Sequence, residues 1–198
     1  MKKSRDTEAN NAKRWENLNE AMVHFRQYIS EKPAKTSLSM VDLLHVSNFK
    51  GGNASITEPI RQFSGKIKLY ECQLEKIEQA FGQRTIGSLN QGEVSQLIEL
   101  CDGFLSLTKS RNSKIRGFGP SYTSALLASH FPNLIPILDR RILNGATIET
   151  KLDKAKQVKD IDQHFGELIR ACWDTLKTQT GMTLRELDKL WFVKPISE

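Results

Sequence analysis

No stretch of the sequence reaches the roughly 18 consecutive apolar residues that a membrane span needs. The basic N-terminus, MKKSRDTEANNAKRW, has no apolar run behind it, so neither an anchor nor a secretory signal is expected. Cysteine is scarce: Cys72, Cys101 and Cys172 stand far apart, each at a core-like position of a helical pattern. They read as buried thiols of a reducing compartment and not as a disulfide framework. The expected location is cytoplasmic, nucleoid-associated if the source is bacterial. His24, His45, His130 and His164 are scattered without metal-ligand spacing, so neither a metal nor an organic cofactor is expected. Strand-like alternation nowhere persists, and no internal repeat is present.

Acidic residues are in the minority, 23 against 29 Lys and Arg, giving a formal charge of +6 and a pI near 9.2. The balance suits a polyanionic partner. It is also uneven. Lys109, Arg111, Lys114 and Arg116 lead a segment with no acid until Asp139, which Arg140 and Arg141 follow. Judged by charge alone, this is either a solvated basic face or a phosphate-contacting one.

What the sequence does have is helical periodicity. Apolar residues recur three and four apart in Trp15, Leu18, Met22, Phe25 and Ile29, and in Ile67, Tyr70, Leu74, Ile77 and Phe81. Val94, Leu97, Cys101 and Leu105 form a third stripe, and Ile161, Phe165, Leu168, Cys172 and Leu176 a fourth. Thr183 and Glu186 have the spacing of a capping box that opens a last helix. Breaks rich in glycine, proline and hydroxyl residues fall at SEKPAKTS, KGGNASITEP, GQRTIGSLNQG and NGATIET. The expectation is an all-α fold: a flexible basic arm over residues 1–14, then one helical domain over 15–198, either undivided or as two lobes flanking a cleft.

The segment IRGFGPSYTSALLASHFPNLIPILDRRI, residues 115–142, carries the chemistry. Gly117 and Gly119 lack the Cβ atoms that would hold a ligand off the backbone, and Pro120 suits the first position of a following helix. Such a turn is either an anion site at a helix N-terminus or an ordinary tight turn between packed helices. Two helices joined here would span about residues 110–131. Asp139, at the end of PIL, is either a catalytic carboxylate or an N-cap.

IRGFG followed by PILD resembles the helix-hairpin-helix DNA glycosylase superfamily, in which an LPGVG-type hairpin and helix precede an apolar segment ending in the shared catalytic aspartate. The adenine-excising branch lies over residues 115–139 without a gap. NFKGGNASITEP, residues 48–59, is similar to an 8-oxoguanine-glycosylase-like bacterial branch. The resemblance implies a helix-hairpin-helix glycosylase fold that binds double-stranded DNA, flips a damaged or modified base and excises it. Gly117 and Gly119 would grip phosphate, with Ser121, Lys114, Arg116 and Arg140 as further DNA contacts and a monovalent cation allowed at the hairpin. Asp139 would stabilise the positive charge developing on the sugar.

Two departures stand out. Arg116 replaces the usual proline, and Ser121 stands where bifunctional members carry a Schiff-base lysine. A monofunctional enzyme that leaves abasic sites is therefore expected. The four-cysteine motif of some members is missing, so no iron–sulfur cluster is expected. Asn48, Phe49 and Lys50 are wedge or pocket candidates, with Lys50 read as a surface charge before a nucleophile. Asp42 and Glu58 read as solvated loop charges before a second acid near a pocket, and Trp173 and Trp191 as core before base-stacking platforms. Two other functions fit the same residues: a non-catalytic DNA-binding module of a defence or regulatory system, and a helical protein-interaction domain in which the hairpin is only a turn. The base itself is not written in the chain.

Overall fold

The computed structural model describes residues 7–52, 54–179 and 181–196. Among them the chain forms eight α-helices: α1 (Glu8–Glu31), α2 (Met40–Phe49), α3 (Ile60–Phe81), α4 (Gln91–Ser106), α5 (Pro120–His130), α6 (Arg140–Gly145), α7 (Phe165–Leu176) and α8 (Leu184–Val193). Short 3-10 turns at Ile86–Ser88 and Ile161–His164 precede α4 and α7. No strand forms among the described residues; Leu152 and Val158 make one isolated bridge. The fold class is all-α.

The apolar stripes become one continuous core, and the capping box at Thr183 and Glu186 forms in full. A second capping box, Ser39 with Asp42, opens α2. Asp42 is thereby fully buried, with Lys32 Nζ 2.7 Å from its carboxylate, and is not the solvated charge that the sequence indicated. Glu58 is buried too. It accepts a hydrogen bond from Lys66 Nζ at 2.8 Å and another from the Arg116 N–H at 3.0 Å, so it fixes the backbone leading into the glycine turn.

The arm expected over residues 1–14 is corrected. Residues 1–6 lie outside the described ones, but from Glu8 the chain is helical, with Thr7 as N-cap. Asn11, buried, donates from Nδ2 to the Val193 carbonyl at 3.2 Å and ties the first turn of α1 to the end of α8. This long-range bond helps anchor a segment whose polar composition hides its order. Cys72 is a smaller correction: Tyr70 and Leu74 face the core, and Cys72 between them is exposed while Cys101 and Cys172 are buried.

The two-helix unit expected over about 110–131 is present only in its second half. Helix α4 stops at Ser106, and residues 107–119 run through successive turns to α5. Hydroxyl side chains take over the backbone there: Thr108 Oγ1 donates to the Leu105 carbonyl and Ser113 Oγ to that of Leu107, both at 2.8 Å. Such local bonds compete with helix continuation.

Helix α5 has no amphipathic stripe because it is interior all round, buried from Thr123 to Ser129. Its hydroxyls are satisfied locally, as when Thr123 Oγ1 donates to the Gly119 carbonyl at 3.0 Å and Ser129 Oγ to that of Ala125 at 2.8 Å. Helices α1, α2 and α4 all pack on α5, while α8 packs on α1, α6 and α7. Where α6 crosses α8 the backbones nearly touch. A Cβ on Gly145 would stand 2.3 Å from the Trp191 carbonyl oxygen, so only glycine permits the crossing.

Candidate active site

Asp139 is held from two directions. Ser121 Oγ donates to the Leu138 carbonyl at 2.8 Å, and Leu138 N–H donates to Ser124 Oγ at 3.0 Å. The first turn of α5 thus grips both backbone groups of the residue preceding the acid. Asp139 then caps α6, its Oδ1 accepting the Arg141 N–H at 2.9 Å. Its other oxygen lies 2.6 Å from Lys50 Nζ.

Lys50 reaches that point because α2 ends there. Its N–H donates to the Val46 carbonyl at 3.1 Å as the helix C-cap, and Gly51 and Gly52 follow with φ of 95° and 72°. This left-handed pair turns the chain away while the lysine side chain points inward. That side chain is only 11% exposed, against 27% for Asp139, so Lys50 is not the surface charge expected of it.

Both groups open onto a cavity of about 270 Å³ between α1, α2, α6 and α8. Trp15, Phe49 and Phe192 supply aromatic walls; Arg14, Arg185 and Asp188 supply polar ones. Arg185 bridges the cavity wall, donating from Nη1 to Asp188 Oδ2 at 2.6 Å and from Nη2 to Asn19 Oδ1 at 2.9 Å. Asp188 is 1% exposed, and its Oδ1 has no hydrogen-bond partner among the described residues. A buried carboxylate oxygen without an internal partner is uncommon in a packed protein.

The two acids are tuned in opposite senses. Burial raises the Asp139 carboxyl, but the adjacent Lys50 charge, the hydrogen bonds from Lys50 and the Arg141 N–H, and the more distant Arg14 together hold it below its ordinary value. For Asp188 burial prevails over Arg185, and with Asp139 nearby the carboxyl is pushed up to about 6. One cavity therefore holds a firmly ionised carboxylate and one that takes up a proton near neutrality, a pairing typical of working sites.

The remaining candidates separate into groups. Gly119, the N-cap of α5, faces open space, with nothing within 4 Å of a Cβ built there. Gly117, at φ 82°, is pressed against the 54–57 segment instead, where the Thr57 N–H donates to the Arg116 carbonyl at 3.2 Å. Ser121 spends its hydroxyl on Leu138. The carbonyls of Ile115 and Arg116, which frame the turn, accept from Phe118 and Thr57 N–H groups. Lys114 and Arg116 are exposed and line a shallow depression with Arg111 and Lys66, while Arg140 donates from Nη1 to the Lys156 carbonyl at 2.7 Å. Lys109 pairs with Asp162. Asn48 is exposed at the end of α2, but Phe49 is 3% exposed and embedded in the core, which removes it as a wedge and leaves it as a wall. Trp191 is core as expected, and Trp173 is half-buried with Nε1 donating to the Leu89 carbonyl at 2.8 Å.

Sequence reasoning missed Asp188, Arg14 and Trp15 as cavity residues. Asp188 had a signal: it lies on the same helical face as Leu184 and Trp191, an acid inside an apolar stripe. Among the described residues no cluster of three or more His, Cys, Asp or Glu is placed to hold a metal ion, and no helix is long and apolar enough to cross a membrane. No protein-family model, curated protein or solved structure matches the chain.

Proposed function

We propose that the protein binds double-stranded DNA and cleaves the N-glycosidic bond of a nucleotide turned out of the duplex. The reading is supported above all by the adjacency of two features. The open N-terminus of α5 at Gly119 is joined, through the Ser121 bond to Leu138, to the ionised carboxylate of Asp139 at a cavity mouth. A helix N-terminus favours phosphate, and a fixed carboxylate favours the cationic sugar that develops as a base departs. The cavity approaches the low end of ligand pockets, about 300–1,000 Å³, and suits one planar heterocycle.

In this reading the base enters between Trp15, Phe49 and Phe192, and Asp188 Oδ1 accepts a hydrogen from its edge. Arg14 and Arg185 line the same walls. Extrusion is required because the sugar carbon is shielded within a duplex. The exposed Lys114 and Arg116 supply sequence-independent phosphate contacts. Whether water or an amine completes the displacement, Asp139 does the same electrostatic work.

Incubation with duplexes carrying a panel of oxidised, alkylated, mismatched and otherwise modified bases, followed by alkali, tests the proposal. Base release appears as alkali-labile breaks. Salt-dependent binding without release from any duplex would leave a non-catalytic DNA-binding module, and absence of binding would remove DNA as the partner.

A further inference from the structure

We infer that Lys50 is the nucleophile, an amine supplied by the end of α2 and not by the hairpin; this rests on the glycosidic reading above. Three observations carry it. The position where the resemblance would put a hairpin lysine holds Ser121, whose Oγ is turned to the Leu138 carbonyl at 2.8 Å. Lys50 Nζ lies 2.6 Å from Asp139 Oδ2, so a sugar carbon placed against that oxygen is also close to the amine. The lysine is also withdrawn from solvent, 11% exposed, and delivered by a helix C-cap with two left-handed glycines behind it.

The Lys50 ammonium gives up one proton, relayed by Asp139 to the departing base, and the freed lone pair forms a bond to C1′. The bond from C1′ to the base breaks, its electron pair leaving with the now protonated base. A second proton moves from the bound nitrogen to the ring oxygen, the sugar ring opens, and C1′ and Nζ become a protonated imine. Loss of a C2′ proton to Asp139 then expels the 3′ phosphate, nicking the strand, and water releases the lysine. No oxidant, reductant or metal takes part. The monofunctional expectation follows from Ser121 alone; the amine here comes from a segment 89 residues before Asp139.

The test uses a duplex with a preformed abasic site, which needs no knowledge of the base, alongside the lesion panel. The parent, Lys50→Arg, Lys50→Ala and Lys109→Ala are each incubated with and without borohydride, which reduces an imine to a stable amine. The Arg variant keeps a cation beside Asp139 and lacks the nucleophile, so its melting temperature and DNA affinity stay near those of the parent. The expected result is a covalent adduct for the parent and Lys109→Ala, loss of that adduct to the protein-free level for both Lys50 variants, and mass mapping of the attachment to Lys50. Undiminished trapping in Lys50→Arg, or attachment at another amine, overturns the proposal. Base release by the parent without any adduct also overturns it and leaves the glycosylase reading standing. Neither release nor adduct sinks both.

Discussion

A Cβ on Gly117 would stand 1.8 Å from the Ser55 carbonyl oxygen, whereas one on Gly119, two residues on, would meet nothing. The two glycines of the turn therefore serve different ends. Gly117 lets the turn close on the 54–57 segment at φ 82°; Gly119 leaves the start of α5 open.

Gly117→Ala should consequently be a stability variant, losing more than about 2 kcal/mol, because both the backbone conformation and the clash oppose the new methyl group. Gly119→Val should remain folded and bind duplex DNA more weakly. Thermal melts with fluorescence anisotropy check both, and a stable Gly117→Ala protein would show that the 54–57 segment yields.

Replacing Lys114 and Arg116 together by Ala should flatten the dependence of log affinity on log salt by about 2, since each phosphate contact accounts for about 0.9 of the slope. Both side chains are exposed, so the fold should be unaffected. Titration of a duplex at several salt concentrations gives the slope directly, and an unchanged slope would return these residues to a solvated face.

Asp188 makes stability fall as pH rises. Its folded-state pKa, about 6, lies above its ordinary value of 3.8, so the folded protein holds the proton more tightly than the unfolded chain does. The penalty is absent below about pH 4, grows through the 4–6 window and is complete above it. Asp188→Asn removes the titration, so its stability relative to the parent should improve on the order of 2 kcal/mol between pH 4 and pH 7. Asp139 acts in the opposite sense: its depressed value contributes stability above its ordinary pKa that is lost as pH falls through the folded-state value. Denaturant melts at both pH values measure the Asp188 effect, and a pH-independent difference between parent and variant would contradict it.

The legible parts of the chain were those encoded within a few residues. Thr183 and Glu186 announce a cap because their spacing is the motif, and the stripe from Val94 to Leu105 announces a buried face because helical period and burial coincide. Asp139 was legible as both an acid and an N-cap, and it is the cap in fact. The Lys50 contact was not legible. No local pattern links residues 89 apart, and a lysine after a helix reads as a surface charge until tertiary packing turns it inward. Asn11 is similar: a polar residue in a polar segment became an anchor through a bond to the Val193 carbonyl, 182 residues away. Serine and threonine misled over 107–116, where their side chains ended a helix that the two-helix pattern would have continued.

The most direct test of the account is base excision by Asp139→Asn on the duplex that the parent processes best. Asparagine keeps the size and can still accept the Arg141 N–H as N-cap, so the variant should fold and bind DNA; it lacks only the charge that a cationic sugar requires. The account predicts single-turnover release slowed at least about a hundredfold, with affinity for the duplex unchanged or higher. Release at the parental rate would contradict it and leave Asp139 as a helix cap alone.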